Sequence, residues 1–150
     1  MPLSQEGGAV VERIGPSEAR TRMGRGAVYL DVRSVPEFEQ GHPLGAYNIP
    51  LMHLEPGGMR ENPDFLRVVE AVFSKERPMV IGCKCGERSL TAAKRLIDEG
   101  FTHVVDQRAG YDGVRGAFGQ IVERGWRGEG LPVAERAQEG RSWRELREGL

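Results

Sequence analysis

The chain has 150 residues, 39% of them hydrophobic and 29% charged, which is the composition of an ordinary soluble domain with one core. A chain of that length buries about 68–70% of its unfolded surface, so it needs neither disulfides nor a structural metal to fold. Lys and Arg number 21 against 22 Asp and Glu, and the resulting charge of -1 gives no global attraction to nucleic acid or to an anionic membrane.

No apolar run approaches the ~20 residues that span a bilayer, and the start lacks the basic end and apolar stretch of a secretory signal. A cytoplasmic chain is expected. The only cysteines, Cys83 and Cys85, are too closely spaced to staple a fold or to match the usual half of a zinc site. They read as chemical residues, and no metal is implied.

Residues 1–8 read as a flexible tail before a domain over 9–133, with a charged helical extension over 134–150. Val10, Val11 and Ile14 suggest a short strand, and Pro16 opens a helix that ends before Gly24. Ala27 to Val32 is a buried strand, after which Ser34 and Glu37 form a capping box for a short helix stopped by Gly41. The stretch Gly41 to Pro50 is too rich in Gly and Pro for a regular element. Asn62 as cap and Pro63 as first residue predict a helix whose apolar set runs from Phe65 to Phe73. Pro78 to Gly82 is a strand, Ser89 to Glu99 a helix and Phe101 to Asp106 a further strand. Beyond Gly110, glycines at every third position predict turns and a broken helix leading to Ile121 and Val122. Ser142 and Glu145 cap a docked terminal helix carrying Trp143, Leu146 and Leu150.

This alternation predicts an α/β fold, a small parallel sheet flanked by helices on both faces, with ligands bound beyond the carboxyl ends of the strands. Asp31-Val32-Arg33, Gly82-Cys83 and Val105-Asp106 are three such ends. The run Cys83-Lys84-Cys85-Gly86-Glu87-Arg88-Ser89 joins a strand to a helix N-terminus, where backbone N–H groups and the helix dipole stabilise an anion. Cys83 is expected to have thiolate character there.

Three blocks together resemble the single-domain members of the rhodanese-like sulfurtransferase family. They are Asp31-Val32-Arg33 with Glu37-Phe38, then Gly41-His42 through Gly45-Ala46 and Asn48-Ile49-Pro50, and C-x-x-G-x-R-S from Cys83 to Ser89. The similarity runs from about Val10 to Val133. It implies a rhodanese-like fold and a Cys83 persulfide, loaded from a donor such as thiosulfate and passed to cyanide or a thiol. A small redox protein is a candidate acceptor. No cofactor is implied, because the amides of Lys84, Cys85, Gly86, Glu87, Arg88 and Ser89 can cradle the persulfide. Lys84 and Arg88 are candidates for meeting an anionic donor, and Arg88 also for reinforcing the loop. The resemblance assigns Asp31, Arg33, Glu37 and His42 to a supporting network, whereas His53 and His103 have no spacing that suggests a role.

Departures from the family pattern are Ala109-Gly110 in place of Gly-Gly, Val114 at a common tryptophan position, and extra residues from Gly116 to Arg124. Cys85 is a further one, a residue that either resolves the persulfide as a disulfide or simply occupies a loop position, the strained ring of so close a pair favouring the second. Two alternatives stay open: a non-catalytic or partner-loaded relay module, and a cysteine phosphatase or arsenate reductase. A phosphatase loop is one residue longer than the four between Cys83 and Arg88, and the shorter loop suits a single sulfur better.

Overall fold

In the computed structural model, which describes residues 10–149, β1 (Glu12–Ile14) leads into α1 (Pro16–Gly24). Pro16 takes the first helical position, where its missing N–H breaks no bond. β2 (Val28–Asp31) is followed by α2 (Val35–Glu39), which starts at Ser34 because the Ser34 N–H and hydroxyl both donate to Glu37 Oε1. Next come β3 (His42–Pro43), β4 (Tyr47–Asn48) and a hairpin of β5 (Met52–Glu55) and β6 (Gly58–Glu61). The alternation resumes with α3 (Phe65–Val72), β7 (Met79–Gly82), α4 (Glu87–Asp98) and β8 (Val104–Gln107). A second hairpin, β9 (Val114–Arg115) and β10 (Ile121–Glu123), precedes β11 (Val133–Ala134) and α5 (Trp143–Glu148).

Five strands form a parallel sheet in the order β1-β8-β7-β2-β4. The period of two along each strand divides its side chains between two cores. Val28 and Leu30 of β2, Met79 and Ile81 of β7, and Cys83 just beyond it pack with Phe65, Val68 and Val69 of α3 and Ala92, Ala93 and Leu96 of α4. Tyr29, Val80 and Val105 face the other way, onto Ala19 of α1, Phe38 of α2 and Trp126. Helices therefore cover both faces. Each fully buried Leu, Ile or Val adds roughly 1.5–3 kcal/mol, so the continuous apolar runs of β2 and β7 hold the centre of the fold. The same alternation turns Cys83 toward α4.

Several local expectations change. α3 begins at Phe65 rather than Pro63, because Asn62 is used as a buried turn residue: its Oδ1 accepts from the Asp64 N–H and its Nδ2 donates to Pro50 O. α4 begins at Glu87, two residues before the expected Ser89. The stretch 41–50 is not wholly irregular, since Tyr47–Asn48 adds an edge strand to β2, a two-residue ladder that no apolar run announces. The broken helix expected before Ile121 is instead the β9–β10 hairpin, with Gly116 N–H donating to Gln120 O across its turn. The terminal helix does dock: Trp143 and Leu146 join the larger core, and Ser142 caps it by accepting from the Glu145 N–H. The division expected at 133/134 falls within β11, which pairs with β3. The tail at 1–8 and Leu150 lie outside the described residues.

Candidate active site

The register of the sheet brings the three strand ends together, with Asp31 opposite Gly82 and Ile81 opposite Asp106. Cys83 follows β7 directly and is 2% exposed. Its Sγ accepts from the Gly86 N–H at 3.1 Å, and its thiol donates to Ser89 Oγ at 3.3 Å. Gly86 is the N-cap of α4 and has φ +98°, which lets the loop turn tightly enough to aim its amide back at the sulfur. The sulfur thus lies under a loop amide at a helix N-terminus, a place that favours negative charge.

The loop is held from its far side by the segment after β8. Tyr111 N–H donates to Cys83 O at 2.8 Å and Asp112 N–H to Lys84 O at 2.9 Å. Gly110, with φ +69°, passes so close that a Cβ there would overlap Lys84 O. Gln107 shapes this turn by accepting from the N–H groups of Ala109 and Gly110 and donating to Gly110 O.

Asp31 and Arg33 form a buried bidentate pair beneath the loop, and Arg33 Nη2 also donates to Gly41 O at 2.7 Å. The Arg33 guanidinium stacks on Tyr111 at 4.4 Å, which links this pair to the backbone that holds Cys83. Asn48 Nδ2 donates to the carbonyls of Asp31 and Arg33. His42 is further away, stacked on Phe38 with its Nδ1 paired to Phe38 O. Burial is the main influence on His42 and lowers its pKa. Neither His53, beside Trp143, nor His103, beside Thr102, joins the network.

Arg88 does not extend toward the mouth of the loop. Its guanidinium makes two hydrogen bonds to the Glu37 carboxylate, at 2.8 and 3.0 Å, tying the loop to α2. Burial opposes the Glu37 charge, yet the Arg88 and Ser34 hydrogen bonds outweigh it and bring the carboxyl to about 2. A depressed carboxyl contributes stability above its unfolded value and loses it as pH falls. Glu37→Gln is therefore expected to be less stable than wild type by about 1–3 kcal/mol at neutral pH. The gap should narrow below 4.5 and close only as the pH falls through and below about 2. Urea unfolding across that range measures it.

Lys84 and Cys85 are exposed. Lys84 Nζ lies 4.0 Å from Asp112 Oδ2, so the lysine remains the most accessible cation of the loop. Cys85 and Glu87 face a cavity of about 470 Å³, whose other wall is Asp112, Gly113, Val114 and Arg115. Burial, then the neighbouring Cys83, pushes the Cys85 thiol up. A smaller cavity of about 190 Å³ lies on the other side of Lys84 and Asp112, bounded by Arg33, Tyr111 and Arg127.

Tyr111, Gln107 and Arg13 carry no local motif and escape a reading of the sequence alone. Arg13 Nη2 donates to Gly86 O, a contact set by the order of the sheet. Asp106 could be found only as the polar end of a buried strand.

A family model described as "Rhodanese-like domain" matches residues 15–117. The chain is 46% identical over 93 residues to "Senescence-associated protein DIN1" of Raphanus sativus, covering 62% of this chain and 51% of that one. It is 46% identical over 83 residues to "Thiosulfate sulfurtransferase 16, chloroplastic" of Arabidopsis thaliana, covering 55% and 69% respectively. The chain thus spans about half the length of the Raphanus protein and over two thirds of the Arabidopsis one. Among solved structures, Rv0390 from M. tuberculosis superposes with a TM-score of 0.72 at 25% identity, covering 85% of this chain and all of that one. The family match over residues 15–117, with which this parallel sheet and its cysteine loop agree, establishes that the chain belongs to the rhodanese-like domain family.

Proposed function

We propose that the chain moves a sulfane sulfur from a donor such as thiosulfate to a thiophilic acceptor, cyanide or a thiol, through a persulfide on Cys83. The observation that carries this reading is the Gly86 amide on Cys83 Sγ at the start of α4. In the first step the Cys83 sulfur attacks the outer sulfur of thiosulfate. A sulfur–sulfur bond to Cys83 forms as the donor's own breaks, and that electron pair leaves with sulfite. In the second step the acceptor's lone pair takes the outer sulfur and the bonding pair returns to Cys83. The charge on the bound sulfur needs donors more than it needs a base, and the loop amides supply them. Lys84, exposed beside two cavities, is the group suited to meeting an anionic donor.

The test is the intact mass of the protein after thiosulfate, and again after cyanide. Gain of one sulfur atom, lost on adding cyanide with release of thiocyanate, is the expected result. No gain overturns the reading.

Cys85 is expected to be dispensable for this chemistry. Its thiol is pushed up by burial and its side chain faces the larger cavity instead of the Gly86 amide. Cys85→Ser should retain turnover with thiosulfate and cyanide within a few-fold. Complete loss of loading in a folded Cys85→Ser protein would make Cys85 the nucleophile.

A further inference from the structure

Arg13 reaches the sulfur loop from the outer edge of the sheet. β1 is the edge strand beside β8, and the register places Arg13 opposite Asp106. Arg13 Nε donates to Asp106 Oδ2 at 2.6 Å, while Nη2 donates to Gly86 O at 3.0 Å. A planar guanidinium can make both bonds at once, whereas an ammonium cannot reproduce that fork. Gly86, held by its carbonyl, is the same residue whose N–H donates to Cys83 Sγ. The Asp106 side chain is wholly buried, and its Oδ1 has no hydrogen-bond partner among the described residues. Arg13 Nε holds one oxygen of this carboxylate, and the Ser89 hydroxyl of α4 also faces the group. A buried carboxylate so thinly paired is costly, and removing Arg13 would leave an uncompensated charge.

We propose that Arg13, oriented by Asp106, is a positioning residue for the Cys83 sulfur, fixing the Gly86 carbonyl so that the Gly86 N–H stays aimed at Sγ; its effect on loading rests on the sulfur-transfer reading above. Arg13 acts through Gly86 and touches neither donor nor acceptor.

A pH signature follows. Burial raises the Asp106 pKa, and the groups facing the carboxyl are Ser89 of α4, Arg13 of β1 and Arg108 beyond β8, all of which offset the shift in part. Asp106 therefore takes up a proton at a higher pH than an exposed aspartate. Once neutral, it loses the charge-assisted part of its hold on Arg13.

The test compares wild type with Arg13→Met, Arg13→Lys and Asp106→Asn. Arg13 is 38% exposed, so methionine fits its strand position, and asparagine keeps an oxygen for Nε. Backbone amide exchange over residues 84–88 is read by mass spectrometry beside persulfide formation from thiosulfate. Arg13→Met is expected to raise exchange over 84–88 about ten-fold and to slow loading by a similar factor, the loss of one charged hydrogen bond. Arg13→Lys should recover only part of either. The ratio of wild-type to Asp106→Asn loading should be about ten-fold at neutral pH and shrink toward one as the pH is lowered. Unchanged exchange in Arg13→Met overturns the assignment, as does a loading ratio that is flat with pH. If Asp106→Asn does not fold, the exchange in the two Arg13 variants decides alone. Raised loop exchange in Arg13→Met in a protein whose wild type takes up no sulfur would support the positioning role while dismissing sulfur transfer.

Discussion

Cys83→Ser is expected to abolish sulfur uptake from thiosulfate and the formation of thiocyanate, a loss of at least about a thousand-fold. Serine fits the site, since its hydroxyl can accept from the Gly86 N–H and face Ser89 as the thiol does. What it cannot do is become a nucleophilic anion near neutral pH, or carry a transferable sulfur. The exchange replaces a small buried group by a slightly smaller polar one, so stability should fall by no more than about 1–2 kcal/mol. Intact mass after thiosulfate measures the first effect and thermal melting the second. A folded Cys83→Ser protein that still gains sulfur would move the chemistry to Cys85, the only other cysteine.

The parts of this site that were legible in the sequence are those governed by local rules. β2 and β7 are buried on both faces, so they appear as unbroken apolar runs ending in polar residues, and those ends mark Asp31, Arg33 and Cys83. Ser34 with Glu37 and Ser142 with Glu145 appear as caps because both partners lie within one helical turn. The pairing of Glu37 with Arg88 joins positions 51 residues apart, and that of Arg13 with Asp106 joins positions 93 apart. Such contacts depend on which strands become neighbours, which no window of sequence specifies. The β9–β10 hairpin was hidden for a different reason. Its strands are two and three residues long and largely exposed, so they bury too little to leave an alternating pattern. Arg88 had two candidate roles in the sequence, and geometry favours the supporting one because Glu37 occupies both of its terminal nitrogens.

Gly86→Ala is expected to be the most damaging change that leaves every reactive group in place. Two independent costs meet at this residue. With φ at +98° an L-residue is held in a conformation it rarely adopts, a strain of about 1–3 kcal/mol. A Cβ there would also overlap the carbonyl oxygen of Arg108 and come within 3.1 Å of Arg13 Nη2. The first of these neighbours is backbone next to β8, where chain on both sides resists displacement. The easier relaxation is for the loop to move outward, which takes the Gly86 N–H off Cys83 Sγ and its carbonyl off Arg13. Gly86→Ala should therefore lose about 2–4 kcal/mol of stability and reduce the rate of persulfide formation about a hundred-fold or more. Denaturant unfolding and single-turnover loading separate the two effects. Normal loading in a destabilised Gly86→Ala protein would mean that the amide on Cys83 belongs to the fold and contributes nothing to sulfur transfer.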